Sequence, residues 1–176
     1  MKNFWITSLL VVLLSGCSIA PTTPPDGIEP VKNFDVNTFV GEWYEIARLP
    51  NSFEHNLNQV TATYTLNKDG TVTVLNQGYD TEKATWRDAE GTAKFVGAND
   101  VGLLKVSFFG PFYGAYVVFY YDKEVALVTG PNRSYFWMLA REPKISDEKK
   151  QELVQFAAKK GFDVRQLIFP QHHRGD

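Results

Sequence analysis

Cysteine is almost missing from this chain. A single one, Cys17, stands among 176 residues, which excludes an internal disulfide framework and any zinc cage built from several thiolates. An excess of positive charge is missing too: 18 Lys and Arg face 20 Asp and Glu, for a net charge of −2. A chain without basic surplus cannot release many counterions from phosphates, so nucleic acid is not an expected partner. No G-x-S-x-G elbow, H-E-x-x-H pair or phosphate-binding loop is present, so the enzyme classes that those motifs mark are not indicated. Histidine is scarce: His55 falls in a loop and His172 and His173 in the C-terminal tail, where none is placed to orient a nucleophile or hold a haem. No catalytic residue, resident metal or cofactor is therefore expected.

The surplus is aromatic, with 13 Phe, 8 Tyr and 4 Trp. The other proportions are ordinary, and the length suits one globular domain. At the N-terminus, Lys2 precedes an apolar run of 11 residues, Phe4–Leu14. That is too short for the roughly 20 residues of a spanning helix, and it matches the apolar core of a secretory signal. The run ends in Leu14, Ser15, Gly16, Cys17, which resembles the bacterial lipobox. The resemblance implies that residues 1–16 are removed and that Cys17 becomes the diacylglycerol-bearing N-terminus. Two or more acyl chains anchor a protein stably. Ser18 after the cysteine implies, on the same resemblance, delivery to the outer membrane. Residues 17–30 carry Pro21, Pro24, Pro25 and Pro30 and read as an extended, semi-rigid linker, at about 3.1 Å per residue. Residues 31–176 form the remaining domain.

Beyond Phe34 the chain breaks into short segments rich in Val, Thr, Tyr and Phe with turn residues between them, the pattern of an all-β barrel or sandwich. Eight strands are expected, near 41–49, 59–66, 71–78, 84–96, 103–109, 115–121, 124–129 and 135–141. The fourth is irregular, and Asp88–Gly91 reads as either a bulge or a hairpin. Tight links such as Asn67–Gly70 and Asp122–Lys123 make an antiparallel, up-and-down meander. A meander removes its edges by closing, and eight strands enclose room for one small ligand. One helix is expected over 147–160. Ser146 is its N-cap, Asp147 and Glu148 lie in its first turn, Lys159 and Lys160 in its last, and Gly161 follows. Its stripe of Leu153, Val154, Phe156 and Ala157 is suited to packing outside the barrel. A short last strand, 164–169, is expected to pair with a barrel edge.

This arrangement, with Asn33-Phe34-Asp35 before it and Gly41-Glu42-Trp43-Tyr44-Glu45-Ile46-Ala47-Arg48 in its first strand, resembles a lipocalin. Gly41 and Trp43 form the family's G-x-W signature, and Arg141 ends the eighth strand. The resemblance implies that Arg141 packs across Trp43 and closes the barrel floor. The family's Thr-Asp-Tyr motif is altered here to Thr129-Gly130-Pro131, which weakens any docking role read from it. The lipobox, the Pro-rich segment and Lys105–Gly114 resemble the bacterial outer-membrane lipocalins in particular. Those bind fatty acids and lysophospholipids, and the resemblance implies the same ligand classes here, held for storage or transport in envelope maintenance.

Alternation along strands, with Trp43 set inward, places Glu45, Ala47, Val60, Ala62, Tyr64, Val72, Val74, Leu104, Val106, Phe108, Tyr116, Val118, Trp137 and Leu139 in the lumen. A bulge would invert every position beyond it. About half of these are expected to touch ligand, with Tyr113 and Trp137 at the mouth as the best contacts for a head group. Glu45 either faces the lumen, with its pKa raised or with a donor beside it, or lies in solvent. Phe108, Phe109, Phe112 and Tyr113 around Gly110 and Pro111 suit a homodimer contact or a bilayer contact if exposed, and core packing if not. Burying about fourteen methylenes at about 0.8 kcal/mol each is worth roughly 11 kcal/mol gross. Ordering costs leave something like micromolar binding. The competing reading is a structural or partner-binding outer-membrane lipoprotein whose barrel is filled by its own side chains.

Overall fold

The computed structural model describes residues 21–172. Its eight strands are β1 (Gly41–Arg48), β2 (Leu57–Leu66), β3 (Val72–Asp80), β4 (Thr85–Phe95), β5 (Leu103–Phe109), β6 (Phe112–Tyr121), β7 (Val125–Thr129) and β8 (Phe136–Ala140). Each pairs antiparallel with the next, and β8 returns to β1, which closes the barrel. The turns β1–β2, β3–β4, β5–β6 and β7–β8 lie at one end, the mouth. The other three turns lie at the opposite end, the floor.

Two apolar clusters follow from the alternation. The inner one gathers Phe34, Phe39, Trp43, Tyr64, Val118, Leu139 and their neighbours. The outer one gathers Ala47, Val117, Phe119, Leu127, Phe136 and Met138 under Leu153, Ala157 and Phe162. Helix α2 (Asp147–Lys159) covers this outer cluster, capped by the Ser146 side chain, which accepts from the Lys149 N–H. Lys160 is its C-cap, and Gly161 follows at φ +89°, a left-handed position that suits glycine. Lys149 ties the start of the helix to the floor through Asp122, at 3.0 Å, and the Tyr120 hydroxyl.

Several expectations are corrected. The fourth strand runs as one 11-residue element, in continuous register with β3 from Thr85 to Ala93, so Asp88–Gly91 is neither bulge nor hairpin. The last segment is a 3-10 turn, Val164–Gln166, followed by a single bridge between Ile168 and Arg48. Residues 21–30, expected as part of an extended spacer, lie against the barrel wall. The Pro21 carbonyl accepts the Ala115 N–H at 3.0 Å, Ile28 enters the outer cluster, and Val31 bonds both Val118 and Gly102. Pro removes only its own donor, so a Pro-rich chain still buries its apolar residues where a wall accepts them.

Ala47 is not in the lumen. The β1–β8 register shifts between Glu45 and Ala47, which turns Ala47 outward into the cluster beneath α2 and brings Arg48 in beside Glu45. Tyr113 is likewise outside. An odd number of positions separates it from the inward Tyr116, and the Lys94 and Lys105 ammonium groups lie over its ring at 5.6 and 5.2 Å.

Candidate functional site

The floor is built first by sequence. Asp35 caps a one-turn helix, α1 (Val36–Phe39), whose Phe39 drops into the barrel. The ring centroids of Phe39 lie 5.2 Å from Trp43, 5.0 Å from Tyr64 and 5.6 Å from Tyr121. The Trp43 indole donates to the Phe39 carbonyl at 2.7 Å. Across the outside of Trp43 lies Arg141, its guanidinium carbon 3.8 Å from the ring centroid. Its Nη2 donates to the carbonyls of Thr38, Phe39 and Val40, and its Nη1 to that of Glu42. One cation therefore satisfies the carbonyls at the end of α1 and lies on the ring that this turn covers. Gly41 makes room: at φ +99°, a Cβ there would lie 3.4 Å from Arg141 Nη1.

Above the floor the lumen is crossed. Tyr64 on β2 and Tyr116 on β6 come from opposite walls, and their hydroxyls meet at 2.6 Å. Burial pushes both phenols up from their ordinary value. Between this bar and Phe34, Val36 and Phe39 the remaining cavity is about 10 Å³, room for about one water. The floor half is thus filled by its own side chains. Val74 and Leu104 line this cavity, Ala62, Val118 and Leu139 belong to the same cluster, and Val106 packs against it.

The mouth half differs. Val60, Phe108 and Trp137 face inward there. Ala89 lies across from Asn76 on the inner face of β4, and Arg87 lies across from Gly78; both Ala89 and Arg87 are exposed. An exposed residue on an inner face means that water enters the barrel at this level. β4 pairs with β5 only over Thr92–Phe95, so among the described residues the mouth half of β4 has a strand partner on one side alone. Phe108 leans into this gap, where a Cβ on Gly91 would lie 2.8 Å from its ring.

Opposite the gap stands a buried charged cluster. Arg48 donates to Glu45 Oε1 at 2.7 Å and to the carbonyls of Glu54 and Leu57 at 2.9 and 3.1 Å. Glu54 Oε2 accepts from the Trp137 indole at 2.9 Å and from the Asn51 amide. Burial and the neighbouring Glu54 charge push the Glu45 carboxyl well above its ordinary value, against the opposing pull of Arg48. Phe53 and Tyr135 continue the face of Trp137 toward solvent, with centroids 6.1 Å apart. Strict alternation hides this cluster, because residues three apart on a strand point to opposite faces unless a bulge intervenes. His172, expected in a free tail, instead approaches the Glu45 carbonyl at 2.8 Å and stands edge-on to Tyr44. Cys17 and His173 lie outside the described residues. No group of three or more His, Cys, Asp or Glu among the described residues is placed to hold a metal ion.

Known proteins share this arrangement. A lipocalin-like domain model matches residues 34–172. The chain is 46% identical over 166 residues to the outer membrane lipoprotein Blc of Vibrio cholerae, covering 93% of this chain and 95% of that protein. It is 50% identical over 161 residues to the outer membrane lipoprotein Blc of Escherichia coli, covering 90% of each. Among solved structures, insecticyanin of the tobacco hornworm superposes with a TM-score of 0.65 at 19% identity, over 88% of each chain, a likeness of fold. With the G-x-W strand, the Trp43–Arg141 stack and the closed eight-stranded meander in place, the chain belongs to the lipocalin family.

Proposed function

We propose that this protein is an outer-membrane lipoprotein, anchored through acylated Cys17, that holds one fatty acid or lysophospholipid chain in the mouth half of its barrel. The observation that carries the reading is the contrast inside the lumen: exposed inner-face positions at Ala89 and Arg87 above a floor that retains only about 10 Å³. An acyl chain finds apolar wall at Val60, Phe108 and Trp137, and a head group meets the Glu45–Arg48–Glu54 cluster beside Trp137. A longer chain must part the Tyr64–Tyr116 hydroxyls, a hydrogen bond worth about 1 kcal/mol net. The outer-membrane lipoproteins that this chain resembles support the location.

The test is a titration of delipidated protein carrying Cys17→Ser and Trp86→Phe, which leaves Trp137 as the tryptophan beside the mouth. Palmitate and a lysophospholipid are each expected to change its emission saturably at micromolar concentration. Ala89→Phe, which fills the open inner face without adding a tryptophan, is expected to remove that response without loss of fold. A protein with no saturable response to either ligand is instead a structural lipoprotein.

A further inference from the structure

The two ends of the barrel present different surfaces. At the mouth, the β5–β6 hairpin carries Phe109 and Phe112 around Gly110 and Pro111, exposed to 83% and 63%. Phe53, on the β1–β2 turn at the same end of the barrel, is 51% exposed. At the floor, two of the three turns are polar throughout, Asn67-Lys68-Asp69-Gly70 and Asp122-Lys123-Glu124, and the third, 96–102, carries no aromatic residue. Large apolar rings on a hairpin tip gain nothing in water, whereas Phe side chains on an apolar face of a membrane-associated element are buried at the boundary of headgroups and acyl chains. Below the tip, Lys94 and Lys105 hold their ammonium groups over Tyr113 on the outer wall, a basic pair beneath an apolar tip that suits anionic headgroups.

The seated N-terminal segment decides which surface this tip meets. Pro21 is bonded to Ala115, three residues along β6 from Phe112. Four residue steps separate Cys17 from Pro21 and span at most about 14 Å. The hairpin tip lies about 10 Å from Ala115 along the strand, whereas Tyr121, at the floor end of β6, lies about 20 Å away. The leash reaches the tip with slack and falls short of the floor turns.

We infer that the mouth faces the bilayer in which the Cys17 acyl chains sit, with Phe109 and Phe112 lodged among the headgroups, so that a lipid chain moves between leaflet and lumen without crossing water. This rests on the reading of Cys17 as acylated. The one-sided stretch of β4 opens beside the same tip, which puts the gap in the barrel wall next to the lipid.

Acylated mature protein carrying Lys83→Cys, at the mouth, or Lys68→Cys, at the floor, is labelled with bimane; the Cys17 thiol is blocked by its thioether. It is then reconstituted into phosphatidylethanolamine–phosphatidylglycerol vesicles containing spin-labelled lipid. Quenching at position 83 is expected to exceed that at 68 at least threefold; equal quenching, or stronger quenching at 68, overturns the inference. Loss of flotation together with a mass lacking diacylglycerol overturns the anchor reading instead, and the mouth contact is then read separately. In Cys17→Ser protein, Phe109→Ser with Phe112→Ser is expected to lower vesicle partitioning at least tenfold. If that pair dissolves a lipid-free dimer and leaves partitioning unchanged, the tip belongs to a second copy of the chain and the bilayer contact is overturned.

Discussion

The floor and the mouth of this barrel are made from the same residue types put to opposite uses. At the floor, Phe39, Trp43, Tyr64 and Tyr121 pack ring to ring and a cation seals them from outside. At the mouth, Phe53, Phe109 and Phe112 stand in solvent, while the polar side chains of Glu45 and Arg48 are the buried groups. Aromatic content therefore marks neither core nor site by itself. What separates the two ends is whether the backbone closes over the rings: α1 covers the floor, and no element among the described residues covers the mouth.

Substitutions can break this contrast from the floor outward. Trp43→Ala empties the site of the largest fully buried side chain and removes the platform under Arg141. A loss of about 3–5 kcal/mol is expected, read as a lowered urea midpoint. Arg141→Met keeps apolar bulk on the ring but leaves the carbonyls of Thr38, Phe39 and Val40 without their donor. A loss of about 2–3 kcal/mol is expected by the same measurement, since hydrogen bonds from a charged group are worth more than neutral ones.

The mouth is expected to answer to pH instead. The fold holds the Glu45 carboxyl well above its ordinary value of 4.5, so folding favours its protonated form. The stability this gives is present below the ordinary value and is lost as pH rises through the raised one. Glu45→Gln removes that titration while keeping an acceptor for Arg48. Melting temperatures measured from about pH 4 to pH 8 are expected to show the wild type losing ground to the variant across the window; parallel curves would contradict the assignment. The smallest effect on stability is expected from Phe109→Ser, within about 0.5 kcal/mol in thermal unfolding. The same residue type costs several times more when Phe39 is replaced by Ala.

How far alternation could be read depended on distance from a bulge. Trp43 and Glu45 precede the register shift in β1, and alternation from Trp43 puts both inside. Ala47, two residues further, lies beyond it and faces α2. On β2, Val60, Ala62 and Tyr64 all follow the shift between Asn58 and Thr61, or sit within it, and keep one parity to the floor. Tyr113 was legible in principle, because its separation from Tyr116 already turns it outward; its size and polar tip suggested otherwise. The Arg48–Glu54 cluster had no local signal, since it needs a bulge in β1 and the β1–β2 turn folded back against Arg48 and Trp137. Helix α1 left only Asp35, a capping residue with no long periodic run after it.

By itself the chain's order of residues determined the eight-stranded meander and the capped outer helix, because period-two patterning, turn residues and helix caps act over a few neighbours; the stacking of Arg141 on Trp43 was implied only by the resemblance to lipocalins. Tertiary structure alone decided which half of the lumen stays open, that Arg48 joins Glu45 inside, and that the Pro-rich segment lies along the wall with Pro21 near the mouth. Those outcomes depend on bulges and on contacts between segments 80 to 100 residues apart, such as Trp137 with Glu54 and Ala115 with Pro21, which no local pattern encodes.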